Sequence, residues 1–154
     1  MKFTVYGQPI PQGSMRAFMP KRGKFPIVTA DNAKTKPWRQ EIAGVAQNTL
    51  QSNREVSWGA EFPLRVAIDF FFDRPKSLKK SIMDKVTKPD LDKLARSVLD
   101  ALTGICFHDD SQVIDLHVTK NFGSPARAEI MVEEALPPQV EIQRQPIKDS
   151  QLPF

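Results

Sequence analysis

Between Phe62 and Phe72 every second residue is large and apolar: Phe62, Leu64, Val66, Ile68, Phe70 and Phe72, with Arg65 and Asp69 at alternate positions. A period of two puts one set on one side of an extended backbone, so this stretch predicts a β-strand with one face in a core. Such a strand needs neighbours and a covering layer, which restricts the chain to architectures built around a sheet. A covering helix is legible further on. Pro89 disfavours helix in the residue before it, Asp90 suits an N-cap, and Leu91, Leu94, Val98 and Leu102 recur at helical spacing until Gly104, which is placed to end the helix.

The remaining elements are shorter. KFTVYG alternates as a strand and breaks into the Pro-rich loop QPIPQGSMRAF, which carries Arg16. A second strand, Phe25 to Thr29, leads through Asp31 and Asn32 to a helix beginning near Lys36, with Pro37 in its first turn and Trp38, Ile42, Val45, Ala46 and Thr49 as its inner stripe. After the loop ICFHDDS, Ile114, Leu116 and Val118 alternate with Asp115, His117 and Thr119. A turn from Asn121 to Pro125 then returns the chain as a strand with Ala128, Ile130 and Val132 on one face, and these two strands read as a hairpin. The expected fold is one α+β domain over residues 1–134, a mixed or antiparallel sheet with two main helices. Residues 135–154 hold four prolines and no amphipathic period, and read as an extended or disordered tail. There are no internal repeats.

With 154 residues, 40% of them hydrophobic, the chain can bury a core without disulfides. Cys106 is the single cysteine, which excludes an intramolecular disulfide, fits a reducing compartment, and reads as a small buried hydrophobe. No apolar segment follows Lys2 and no run of ~18 apolar residues occurs, so neither a signal peptide nor a membrane span is expected, and the cytoplasm is the expected location. The net charge of +4 matters less than its placement. Residues 74–88 carry Arg74, Lys76, Lys79, Lys80, Lys85 and Lys88 against the single acid Asp84, and smaller groups occur at Lys21, Arg22 and Lys24 and at Lys34, Lys36 and Arg39. Clusters of this kind suit phosphate contacts and equally suit a solvated face.

The acids are more informative. Asp90 as cap and Asp92 in the first turn project near one helix N-terminus, where free N–H groups and the dipole favour the ionised form. An ordinary helix start would look the same. The second acidic pair, Asp109 and Asp110, changes the odds, because the return loop can be drawn bringing Asp110 back towards the helix's beginning. Three hard oxygen ligands at an open site are what Mg²⁺ or Mn²⁺ requires, and the ion would neutralise a scissile phosphate and acidify a bound water. Arg96, one turn beyond Asp92, could stabilise charge in the transition state or form an i,i+4 surface pair. Asp100, Asp115 and His108 are weaker candidates, and neither histidine has a partner at zinc-ligand spacing.

The segment KPDLDKLARSVLDALTGICFHDDSQVIDLHVTK resembles the signature of the RusA-type crossover junction endodeoxyribonucleases. Asp90, Leu91, Asp92, Leu94, Leu99, Asp100, Ala101, Leu102, Asp109, Asp110, Gln112 and Val113 fall in register with it, and the opening G-x-P-x-P followed by Arg16 is similar to the family's beginning. The resemblance implies a homodimeric, Mg²⁺-dependent enzyme that nicks opposing strands of a four-way (Holliday) junction, with catalytic, metal-binding acids at Asp90, Asp92 and Asp110. It departs from the family at Lys93, where an Asn is usual, and at Arg96, where a functionally important Lys is usual; Arg keeps the charge but cannot act as a proton donor. DNA contacts are expected from Arg16, Lys76, Lys79, Lys80 and Lys88. A two-fold dimer would match the symmetry of the junction, and the family type suits a phage or prophage protein. Two other readings stand beside this one: a branched-DNA-binding protein with weak or no nuclease activity, and a basic interaction module whose acids serve as caps and turns.

Overall fold

The computed structural model of the chain describes residues 1–13, 15–19, 21, 25, 27–30 and 33–135, with the backbone alone at 15–18 and 27–30. Asp31, Asn32, Arg22, Lys24 and the tail from Leu136 onward lie outside the described residues. Along the chain come β1 (Lys2–Tyr6), β2 (Met15–Phe18), β3 (Ile27–Ala30), α1 (Thr35–Asn53), β4 (Leu64–Phe72), α2 (Leu91–Leu102), a short 3-10 helix (Asp110–Gln112), β5 (Val113–Phe122) and β6 (Arg127–Glu134). This is the α+β class expected, with a mixed sheet and two helices.

β4 forms where the alternation predicts it. Leu64, Val66, Ile68, Phe70 and Phe72 are all buried, while Arg65 on the other side is exposed. Each fully buried side chain of this size contributes about 1.5–3 kcal/mol. Helix α1 buries Trp38, Ile42, Ala46 and Leu50, and α2 buries Leu94, Val98 and Leu102, both against this one face of the sheet. Between the helices Arg39 meets Asp100 at 3.3 Å, which gives Asp100 a structural partner. Gly104, at φ +76°, takes the left-handed turn that ends α2.

The sheet order is β1-β6-β4-β5, with β4 antiparallel to β6 and parallel to β5. The expected hairpin between the last two strands is therefore corrected: β4 lies between them. The four residues 123–126 cross over the end of β4, where the Gly123 N–H donates to the Phe72 carbonyl at 2.9 Å. A Cβ at Gly123 would stand 2.7 Å from the Phe71 ring, so only glycine lets the chain pass this close. β2 and β3 form a separate antiparallel ribbon outside the main sheet. Ala135 is buried, and its N–H donates to the Pro63 carbonyl at 2.8 Å.

β5 is a free edge. Ile114, at the irregular step between Leu64 and Arg65 of the neighbouring strand, is 69% exposed, and Leu116 is 45% exposed although it points to the helix side. Asp115 is paired with Arg65 at 2.6 Å on the opposite face of the sheet. Among the described residues no helix is long and apolar enough to cross a membrane.

Candidate active site

Asp90 occupies the N-cap position with extended backbone, yet its side chain caps nothing. Its carboxylate is about half exposed and has one charged neighbour, the Lys93 ammonium at 3.6 Å. Surface pairs of this kind contribute little and break readily. Asp92 in the first turn is exposed and makes no ion pair among the described residues, so the helix start carries two available carboxylates in the field of its dipole. Arg96 is also exposed and pairs with no acid, Asp92 included, among the described residues.

Two lysines that the motif reading did not single out for this role build the approach to Asp90. Lys120, in β5, donates from Nζ to the carbonyls of Thr87 and Pro89, both at 2.9 Å. Lys85 donates to the Lys88 carbonyl at 2.8 Å and to the Thr87 hydroxyl at 3.1 Å. Partial burial, with the charge of Lys120 nearby, pulls the Lys85 pKa below its ordinary value. The strap from Thr87 to Pro89 is thus tied to the sheet by Lys120 and to its own loop by Lys85, which fixes where the next residue, Asp90, starts the helix. No spacing rule announces Lys120, because it lies thirty residues away and acts through main-chain oxygens.

On the other side of Asp90 lies a cleft of about 460 Å³, bordered by Pro9, Gln12, Lys88, Pro89, Asp90 and Lys93. The N-terminal loop forms one wall, held there by the Gln12 N–H on the Lys93 carbonyl at 2.8 Å and by the Thr35 hydroxyl on the Pro11 carbonyl at 3.0 Å. An anionic group in this cleft would meet Lys88 and the positive end of α2. Lys76, Lys79, Lys80 and Lys88 all lie exposed on the loop between β4 and α2, while the Arg16 side chain lies outside the described residues.

The second acidic pair divides its roles. Asp109 caps the 3-10 helix, accepting from the Ser111 N–H at 2.9 Å, and the hydrogen bonds from Ser111 hold its pKa below the usual carboxylate value. Gln112, buried at 9% exposure, accepts from the N–H groups of His108 and Asp109 and donates to the carbonyls of Gly59 and Phe62. Asp110 is left exposed at the start of this turn. His108 is exposed and its backbone N–H serves the Gln112 side chain.

Asp110 does not return to Asp90 within one chain. The loop after α2 folds back on the helix's own C-terminal end, with Ile105 and Cys106 donating to the Leu102 carbonyl at 3.0 and 2.9 Å and Phe107 and Cys106 buried there. Burial also pushes the Cys106 thiol up to about 12. From that end β5 runs alongside β4, and Lys120 touches the strap only at the far end. From Val113 to Lys120 the strand advances about 23 Å, which leaves Asp110 at the opposite end of β5 from the strap that leads to Asp90. Among the described residues no three of His, Cys, Asp or Glu stand close enough together to hold a metal ion.

A hydrolytic nuclease is the class that this basic loop and carboxylate-bearing helix start suit. The family model for the endodeoxyribonuclease RusA matches residues 7–133, and the chain belongs to that family. It is similar over nearly its whole length to the uncharacterized protein YqaN of Bacillus subtilis (strain 168), with 33% identity over 144 residues that cover 87% of this chain and 96% of that protein.

Proposed function

We propose that this protein is a Mg²⁺-dependent endodeoxyribonuclease that resolves four-way DNA junctions by paired nicks and works as a two-fold dimer. The observation that carries the reading is the pair Asp90 and Asp92, one at a cap position without capping and the other without an ion pair among the described residues, at the end of a loop of exposed lysines in a chain of a nuclease family. Two carboxylates fit a hard cation that keeps several waters and shares its remaining positions with phosphate. When bound, the ion supplies charge neutralisation at the scissile phosphate and an acidified water. Lys76, Lys79, Lys80 and Lys88, with Arg16, take the flanking phosphates, and Arg96 lies within one turn of Asp92 to offset charge that develops there.

The third acid, Asp110, completes the site from a second copy. Antiparallel pairing of the free β5 edges about a two-fold axis would cover Ile114 and Leu116. It would also set the beginning of one β5 beside the end of the other, and hence the partner subunit's Asp110 beside Lys120 and the strap to Asp90. Two sites related by two-fold symmetry then face opposing strands of the junction. The cytoplasm, with recombination or replication branches of phage or prophage DNA as substrate, is the setting we assign to this activity.

A second reading rests on Lys93, whose ammonium stands beside Asp90 where a metal ion would have to bind. On it, the protein binds branched DNA without cutting it. Cleavage of a labelled four-way junction, against a linear duplex of the same sequence, separates the two. Paired nicks at the junction in Mg²⁺, lost in Asp90→Asn while binding persists, are expected. Tight junction binding by the wild type with no cleavage in Mg²⁺ or Mn²⁺ would establish the second reading instead.

A further inference from the structure

A second cleft, of about 350 Å³, lies beneath the basic loop, with Phe72 and Phe122 among its lining and Pro75, Leu78, Ile82 and Val86 as apolar walls. Gln8 borders both this cleft and the one beside Asp90, so the two are neighbours. The volume falls in the ~300–1,000 Å³ range of small-ligand sites.

Its chemistry is a combination that neither a core nor an ordinary surface has. The Lys85 ammonium stands 4.6 Å from the centre of the Phe72 ring and 5.8 Å from that of Phe122, and the Arg74 guanidinium is 5.3 Å from Phe122. Around this apolar space the loop carries Lys76, Lys79, Lys80 and Lys88, all exposed, and its outer rim leaves Met83 73% and Val86 82% exposed. The lining itself carries Asp73 and Asp84 beside Lys85, so the excess of positive charge lies in the surrounding loop, and an apolar space rimmed in this way suits a ligand that is itself flat and apolar but attached to a polyanion. A nucleobase on its sugar–phosphate backbone has that character: the ring takes the aromatic face and the phosphates take the lysines. An apolar peptide segment would fill the space but would leave the cations without a partner.

We infer that the cleft receives one nucleobase unstacked from the branch point, lying against Phe122, with its flanking phosphates on Lys79, Lys80 and Lys88. This rests on the reading of the protein as a branched-DNA nuclease. Unstacking costs least where a base has already lost a neighbour, as at the centre of a junction, and apolar loop residues such as Met83 and Val86 are the kind that part base steps. The base is thereby drawn aside next to the strap that leads to Asp90, which would select branched DNA over a continuous duplex.

The test places 2-aminopurine at each branch-point position in turn, in EDTA so that the strands stay intact, and follows its fluorescence and the anisotropy of a distant label in one titration with the full chain. At one position the fluorescence is expected to rise several-fold on adding the protein, because a base drawn out of the duplex loses the stacking that quenches it. The rise disappears in Leu78→Trp, which fills the cleft, and shrinks in Phe122→Leu, which keeps the apolar volume and removes the flat ring. Circular dichroism melting establishes that each variant is folded, and either folded variant suffices. Preferential junction binding with no rise at any position, or with the same rise in a folded variant, overturns the proposal and assigns the cleft to something other than a base. Equal anisotropy curves for junction and duplex remove the branched-DNA reading itself, and this proposal with it.

Discussion

The ammonium of Lys120 lies 2.9 Å from the carbonyl oxygen of Pro89, the residue immediately before Asp90. A second bond of the same length runs to the carbonyl of Thr87, so one edge-strand side chain fixes both ends of the three-residue approach to the candidate metal ligand. Hydrogen bonds from a charged donor contribute about 1.5–3 kcal/mol where both partners are withdrawn from water, and less at this partly exposed site. Lys120→Met keeps most of the length of the side chain and removes both bonds. The expected outcome is faster amide exchange around residues 87–92 and a higher Mg²⁺ concentration for half-maximal cleavage, with junction affinity little changed. Exchange at wild-type rates would show that the strap holds itself.

Subunit mixing tests where Asp110 acts. Asp90→Asn and Asp110→Asn homodimers are each expected to lose cleavage by on the order of 10²–10³-fold. A heterodimer of the two variants would pair the intact Asp90 of one copy with the intact Asp110 of the other, restoring one site of two. Single nicks, without paired ones, should therefore reappear on mixing. Continued inactivity of a heterodimer isolated with two different affinity tags would place Asp110 outside the partner's site.

Gln112 joins four backbone groups of two segments: the turn at His108 and Asp109, and the chain ahead of β4 at Gly59 and Phe62. Its replacement by Ala would leave several of these polar groups without partners. A loss of about 2–3 kcal/mol in urea unfolding is expected, which makes this the residue of the acidic motif whose role is stability. The same substitution loosens the turn that presents Asp110, so cleavage should fall further than stability at temperatures where the protein is still folded.

Asp109 gives the same turn a pH dependence. Its pKa is held below the ordinary carboxylate value by the hydrogen bonds to Ser111, so its contribution is complete above the unfolded value of about 4 and is lost as pH falls through the lowered folded value. Wild type should exceed Asp109→Asn in urea midpoint at pH 7, and the gap should close on acidification below about pH 4. A gap that stays constant down to pH 2 would mean that the amide caps as the carboxylate does.

Much of this architecture was legible because it rests on local physics. The alternation that ends at Phe72 marks β4, and Asp90 and Gly104 bracket α2 because a cap needs an extended residue and a stop needs a left-handed one. Helix α1 also begins where Pro37 fits its first turn, and its inner stripe runs through Trp38, Ile42, Val45 and Ala46 as expected, with Leu50 buried beyond them and Thr49 only half-buried. Strand pairing was not legible. Alternation in β5 and β6 assigns faces but not neighbours, and a short turn reads the same whether it closes a hairpin or crosses the end of a third strand. The placement of Asp110 failed for a related reason: a loop's reach sets how far a chain can go, whereas Cys106 and Phe107, buried beneath the helix end, decide where it stops. Edge strands mislead too, since Leu116 has the pattern of a core residue and is exposed because nothing among the described residues covers it.

The insertion of β6 between β1 and β4 carries a consequence for synthesis. Among the described residues β1 pairs with no strand but β6, and the Met1 ammonium donates to the Val132 carbonyl at 2.8 Å across 131 residues of chain. β1 is thus made well before the strand that pairs with it, and until β6 follows it has α1 against its apolar face at Phe3 and Val5 but no strand beside it. Closure of the sheet is a late, long-range event, with the slow folding and exposure to aggregation that such pairings bring, so that a nascent chain halted short of Arg127 would hold an open slot where the sheet's centre should be.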